Sequence, residues 1–237
     1  MPHDNMDLNQ LATYLQRDVR EISKLVNRGR LPGRKVSGQW RFARAEINHW
    51  LETQLPEFDE RELSALETRG QTPHAEPLVA SLLPVECVAV PLAARTKASV
   101  LKELVALAEK SWQVYDPDAI LEALKQREEM GSTAFSNGVA IPHPHRPLPG
   151  AIGDSILAFG RTPSGIPFGA ERGCLTDMFF LVCCENDHTH LQVLARLARL
   201  LRRPQLLERL REEPTANGVW QLLRDAEEAL LAERNHG

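Results

Sequence analysis

His143 stands between Pro142 and Pro144, where the short apolar run Val139 to Ile141 ends. Proline on both sides holds the backbone extended and restricts where the imidazole can point. Neutral imidazole at pH 7 can act as base, nucleophile or metal ligand. Zinc is the competing chemistry, since His143-x-His145, His188-x-His190, Cys183 and Cys184 hold enough donor atoms. Against zinc, adjacent cysteines on a strand face opposite ways, and no Cys-x-x-Cys brackets either histidine pair. No metal or other cofactor is therefore expected, and His145 and His188 read as surface residues.

The elements around His143 alternate between strand and helix. Cys87 to Val90, Gly138 to Ile141, Ser155 to Gly160 and Asp177 to Cys183 are strand-like. Helical spacing runs over Val100 to Ala108, Asp118 to Glu128, about His188 to Leu201, Pro204 to Arg211 and Gly218 to Glu233. The Leu/Arg-rich stretch Leu191 to Arg211 reads as an amphipathic core helix with a solvated arginine face. Strands mixed with helices in this way predict an α/β sandwich.

Three separated motifs recur in order: Arg127 closing a helix before Gly131-Ser132-Thr133, Gly138-Val139-Ala140-Ile141-Pro142-His143, and His190 entering Leu191-Gln192-Val193-Leu194. Over about residues 84–233 the chain thereby resembles the enzyme IIA type-2 (mannitol, fructose and nitrogen-regulatory) domain of the bacterial phosphotransferase system. Glu171-Arg172 stands where that family commonly has an Asp-Gly turn, and Pro144 where some members have glycine. The resemblance implies a small mixed sheet, with His143 as the phosphorylated residue, Arg127 on the phosphate side and His190 as the second active-site histidine. Arg127 suits its part because a planar guanidinium grips phosphate bidentately, although a cation ending a helix also complements the macrodipole. Ser132 and Thr133 can donate hydroxyls or simply form a turn. If Asp187 caps the helix, His190 sits in its first turn, beside amides that favour an anion. The implied donor is the phosphocarrier HPr or its nitrogen-branch paralogue.

The first fifty residues carry a different chemistry. Asp7 to about Leu15 reads as a helix through Leu8, Leu11, Ala12 and Leu15. Asp18 with Glu21 is a capping-box arrangement for a second helix that buries Ile22, Leu25 and Val26 and ends at Gly29. Arg34-Lys35-Val36 and Gln39-Trp40-Arg41-Phe42 flank Ser37-Gly38 as a hairpin. A third helix from about Arg44 buries Ile47, Trp50 and Leu51, and Trp40 and Trp50 read as core. Helix, turn, helix, hairpin and helix make a compact winged helix-turn-helix. Gly29-Arg30-Leu31-Pro32 and Trp40-Arg41-Phe42 are similar to the excisionase/MerR-like DNA-binding family over about residues 6–53. Arg20, Lys24 and Asn27 suit a major groove, and Arg34, Lys35 and Arg41 of the wing suit phosphates.

Charge supports this division. Arg17 to Arg44 holds nine basic and two acidic residues, a net +7 in a chain whose total is −4. Such asymmetry fits a polyanion-binding module joined to an acidic partner. Residues 54–83 hold Pro56, Pro73, Pro77 and many acids and read as a linker, flexible over Gln71 to Pro77, with a possible helix over Glu57 to Glu67. No secretion signal is visible at the N-terminus, and the longest apolar run, Met178 to Cys184, is too short to cross a bilayer. Free cysteines in apolar runs suit a reducing cytoplasm.

The expected protein is thus multidomain: a winged helix-turn-helix over residues 1–53 and an α/β sandwich with a mixed sheet over 84–233. Its expected function is cytoplasmic transcriptional regulation, binding duplex DNA as a homodimer and accepting phosphate on His143 as a relay component rather than a turnover enzyme. Two alternatives stand beside it: a relay protein passing phosphate to a IIB protein, and a docking module read out by phosphorylation.

Overall fold

The computed structural model describes residues 5–15, 17–68 and 77–235. The chain divides into two compact units with the boundary after Arg61. The flexible stretch expected over Gln71 to Pro77 lies, apart from Pro77, outside the described residues.

In the first unit, helix α1 (Leu8–Leu15) is entered through a reciprocal cap: Gln10 N donates to Asp7 Oδ1, and Asp7 N donates to Gln10 Oε1. Helix α2 (Val19–Asn27) is capped by Asp18, whose carboxylate accepts from Arg20 N at 2.8 Å. The expected box partner Glu21 accepts instead from Arg17 at 3.0 Å. Gly29 ends α2 at φ +67°, with Gly29 N donating to Val26 O and Arg30 N to Leu25 O. That pair of bonds is a Schellman motif, and it turns the chain toward the wing. Ser37 and Gly38, both at positive φ, make the two-residue turn between β2 (Arg34–Val36) and β3 (Gln39–Ala43).

Two sequence expectations change here. Asn5–Met6 is a strand, β1, pairing antiparallel with β3 so that Met6 faces Phe42. Two residues are too few to show a period. Trp40 and Trp50 are half-buried rather than core. Phe42 fills the hairpin's share of the core, whereas Trp40 lies nearer the hairpin tip, stacked on Phe42 and covered by Lys35 Nζ at 5.2 Å. Helix α3 (Arg44–Gln54) buries Ile47 and Leu51 beneath.

The second unit is built on a mixed sheet of order β4-β6-β7-β5. Strands β4 (Val88–Ala89) and β6 (Ile156–Ile166) are parallel, β6 and β7 (Thr176–Cys183) antiparallel, and β5 (Val139–Ala140) and β7 parallel. Strand β6 outruns the expected Gly160 because its register shifts between Arg161 and Ile166, which admits Pro163. Helices α6 (Lys97–Ala108) and α7 (Pro117–Glu129) pack together, with α6 on β6. A separate group, α5 (Leu78–Leu82), α8 (Asp187–Leu200) and α10 (Ala216–Asn235), packs on β4, β6 and β7, with α9 (Pro204–Glu212) against α10.

The expected solvated arginine face of α8 is corrected. Arg196, only 1% exposed, and Arg199 are buried. Arg196 pairs with Glu67 at 3.1 Å and Glu227 at 2.6 Å, and Arg199 pairs with Glu67 at 2.8 Å. Burial of such groups is tolerable only with partners of opposite charge. Glu67 belongs to α4 (Glu60–Glu67), inside the segment expected as linker, and Leu63 and Leu66 of the same helix are buried. Glu227 also accepts from the amides of Leu78, Val79 and Ala80, capping α5 where Pro77 offers no side-chain cap. Among the described residues no helix is long and apolar enough to cross a membrane.

Candidate functional site

Helix α7 delivers two charged side chains to one turn. Asp116 caps it, Pro117 opens it, and its last turn carries Arg127 and Glu128, both buried. Arg127 Nη1 donates to Gly131 O at 3.0 Å, curling the guanidinium back over the turn that ends the helix. Glu128 accepts from Thr133 N at 3.2 Å and from the Thr133 hydroxyl, while Lys97 Nζ lies 2.6 Å from its other oxygen. The Thr133 hydroxyl proton is therefore committed to Glu128. Ser132 Oγ donates to Phe168 O at 3.1 Å.

The next step carries the chain to the histidine. Gly138 holds φ +86°, a conformation that glycine adopts without the strain a side chain would bring, just before β5. Ile141 N donates to Thr133 O at 3.2 Å, and Phe135 N to Val139 O, so the Thr133 turn and the His143 approach form one small antiparallel pair. Pro142 does not end the sheet contact altogether. Its carbonyl still accepts from Val182 N of β7 at 3.0 Å. His143, 4% exposed, places Nδ1 2.7 Å from Ile141 O. A carbonyl oxygen can only accept, so Nδ1 carries a proton, and whenever the ring is neutral the lone pair is on Nε2.

His190 arrives from α8. The cap is Asn186, not Asp187: its side chain accepts from Thr189 N, and His190 N donates to Asn186 O. His190 thus makes the first amide bond of the α-helical ladder, one position beyond the uncapped amides expected beside it. Its ring meets that of His143 edge-on, centroids 5.0 Å apart at 62°. His143 and His190 are brought together, and Thr133 is tied to His143 through Ile141. His145 and His188 are half-buried.

Sequence reasoning gave no role to three residues that the site contains. Exposed Arg146 lines a small recess together with His190, Ile120 and Ile152. Glu128 and Lys97 form the buried support beneath Thr133. The adjacency of Glu128 to Arg127 and its spacing from Thr133 were the available signals. Cys183 and Cys184 line the same recess, and burial pushes the Cys183 thiol up to about 12 and raises that of Cys184 too. An apolar setting that favours protonated thiols opposes the thiolates a zinc site uses.

On the first unit, Arg20, Lys24 and Asn27 are all exposed on α2, as are Arg34 and Lys35 on β2. Arg41 is half-buried and bonds Gln39 Oε1 at 2.9 Å and Trp40 O at 3.2 Å. It stiffens the wing as well as charging it.

Comparison with known proteins adds the following. The family profile described as "Phosphoenolpyruvate-dependent sugar phosphotransferase system, EIIA 2" matches residues 81–226, and that of a "Helix-turn-helix domain" matches residues 6–55. A nitrogen regulatory protein of Pseudomonas aeruginosa is 33% identical over 134 residues, covering 56% of this chain and 85% of that protein. One from Bradyrhizobium diazoefficiens is 34% identical over 148 residues, covering 61% and 94%. Among solved structures, Nitrogen Regulatory Protein IIA-Ntr from Neisseria meningitidis superposes with a TM-score of 0.56 at 28% identity, covering 62% of this chain and 99% of that one.

Proposed function

The chain belongs to the phosphoenolpyruvate-dependent sugar phosphotransferase EIIA 2 family and carries a helix-turn-helix domain ahead of it, and from that premise we propose a bacterial DNA-binding transcriptional regulator whose IIA domain accepts a phosphoryl group on His143. In this reading residues 1–53 bind DNA, residues 84–233 carry the phosphoryl site, and residues 54–83 connect them. The protein works in the cytoplasm.

The observation that carries the reading is the bond from His143 Nδ1 to Ile141 O. It leaves Nε2 as the nucleophile without a separate base. The donor is a phosphohistidine on HPr or a nitrogen-branch HPr-like carrier. The Nε2 lone pair forms the new N–P bond as the donor's N–P bond breaks, and that electron pair stays on the donor imidazole. Nδ1 keeps its proton throughout. Arg127 grips phosphoryl oxygens, and His190 donates an N–H to the group in flight, where charge stabilisation is worth most.

Exposed Arg20, Lys24 and Asn27 support insertion of α2 into the major groove, with Arg34, Lys35 and Arg41 on phosphates. One small module reads few base pairs, so specific binding uses a homodimer on paired half-sites. Phosphorylation adds between one and two negative charges near neutral pH. The +7 stretch Arg17 to Arg44 is their natural electrostatic target, so DNA affinity falls on phosphorylation. The test is titration of one duplex at fixed salt with unmodified and phosphorylated full chain. Weaker binding after phosphorylation, absent in His143→Ala, is expected. Identical isotherms would leave the two domains tethered without regulation.

A further inference from the structure

We propose that Glu128 is a positioning residue for the phosphoacceptor: it sets which nitrogen of His143 is nucleophilic, acting through Thr133 and Ile141. The proposal rests on the reading of His143 given above and adds a residue to that site.

The path is continuous. Lys97 Nζ lies 2.6 Å from Glu128 Oε2 and offsets its charge. Glu128 Oε1 takes both the amide of Thr133, at 3.2 Å, and its hydroxyl. Thr133 O accepts from Ile141 N at 3.2 Å, and Ile141 O accepts from His143 Nδ1 at 2.7 Å. Every link is a directed bond between groups that are buried, except Lys97, whose side chain is 34% exposed. The Glu128 side chain is 2% exposed, so little water can replace it. Hydrogen bonds in so dry a setting hold their partners firmly, and one charged member strengthens its neighbours.

The chemistry requires this support. The tautomer of a neutral imidazole is set by the partner of its other nitrogen. Here that partner is a backbone carbonyl on a loop, and a loop carbonyl is only as well placed as the loop. Pro142 and Pro144 restrict the backbone torsions of the loop, and the Pro142–Val182 bond ties it to β7. The other side of the loop rests on Thr133, and Thr133 rests on Glu128. Glu128 also explains why Thr133 is buried with its hydroxyl turned away from solvent: the side chain is an anchor for the turn.

The test uses the full chain with 15N-labelled histidine, whose imidazole shifts distinguish the two neutral tautomers. Signals lost in His143→Ala identify the ring. Wild-type protein is expected to show a single tautomer with Nδ1 protonated. Glu128→Ala is expected to show both tautomers and to accept phosphate about 10- to 100-fold more slowly, the loss typical of a small misplacement. Glu128→Gln keeps an acceptor oxygen for the Thr133 amide and is expected to restore the single tautomer. Thr133→Val, which removes only the hydroxyl link, gives a smaller effect in the same direction and serves if Glu128→Ala does not fold.

A residue that merely supports the fold would lower the melting temperature and leave the folded protein with the wild-type tautomer and rate. That result in Glu128→Ala, or in Thr133→Val should the former not fold, overturns the proposal. The tautomer needs no phosphoryl donor for its measurement. Failure of wild-type protein to accept phosphate would overturn the function instead, and leave the tautomer result standing.

Discussion

Replacing Glu67 by alanine removes the carboxylate with which Arg196 and Arg199 both form ion pairs. Both guanidiniums are buried, and Glu67 Oε2 lies 3.1 Å from Arg196 Nε and 2.8 Å from Arg199 Nη1. Taking away one partner of a buried pair costs about 3–5 kcal/mol, because the charge left behind has lost both water and its counter-ion. Arg196 keeps Glu227 at 2.6 Å, which argues for the lower end, about 3 kcal/mol. For a domain of this size about 2–4 °C of melting temperature follows each kcal/mol, so the second unit should melt about 6–12 °C lower. Thermal melts followed by circular dichroism, with Trp220 fluorescence reporting α10, measure it. Pairing Glu67→Leu with Arg199→Leu should be less harmful than Glu67→Leu by itself, since the stranded charge is gone. A shift under about 2 °C would refute the view that α4 is bonded into the second unit. So would a double variant worse than the single. Glu67 lies between the two family matches, and the network fastens that stretch onto α8, the helix that carries His190.

Other outcomes follow from the same geometry. Arg127→Ala and His190→Ala should each slow phosphoryl acceptance by roughly 10²-fold without becoming labelled themselves, and wild-type rates in both would discard the assigned roles. Duplex binding by the full chain should fall steeply with salt, with Arg20→Ala and Lys24→Ala weakening it most; salt-independent binding would remove the groove-entry reading. Burial pushes Cys183 from 9.0 up to about 12, so the folded unit keeps a proton that the unfolded chain loses first. The stability this confers is complete below about pH 9 and is lost as pH rises toward 12; Cys183→Ala should flatten that decline in melts taken from about pH 8 to 10.5.

Much of the fold is legible where local chemistry decides it. Asp18 as a cap, Gly29 at a left-handed helix end and Ser37-Gly38 as a two-residue hairpin turn each need only neighbouring residues. The placement of His143 just beyond a short buried strand is legible for the same reason, since its prolines and apolar approach adjoin it. Tertiary partners are not legible in this way. The period of α8 marks Arg196 and Arg199 as candidates for a solvated face, yet the partners of Arg199 and Arg196 stand 132 and 31 residues away. Pro163 hides the end of β6, because the bulge that admits it is a property of the pairing with β7. Glu128 escapes notice because a carboxylate ending a helix is ordinary until Thr133 and Lys97 are seen around it.

The central claim is that His143 accepts the phosphoryl group on Nε2. Full-length protein incubated with phosphoenolpyruvate, enzyme I and HPr is measured by intact mass and by 31P NMR, which separates the two phosphohistidine isomers. A single added phosphoryl group, present as the Nε2 isomer, absent in His143→Ala and retained in His145→Ala, is the predicted result. Labelling that survives in His143→Ala, or a phosphoryl group on Nδ1, would contradict it.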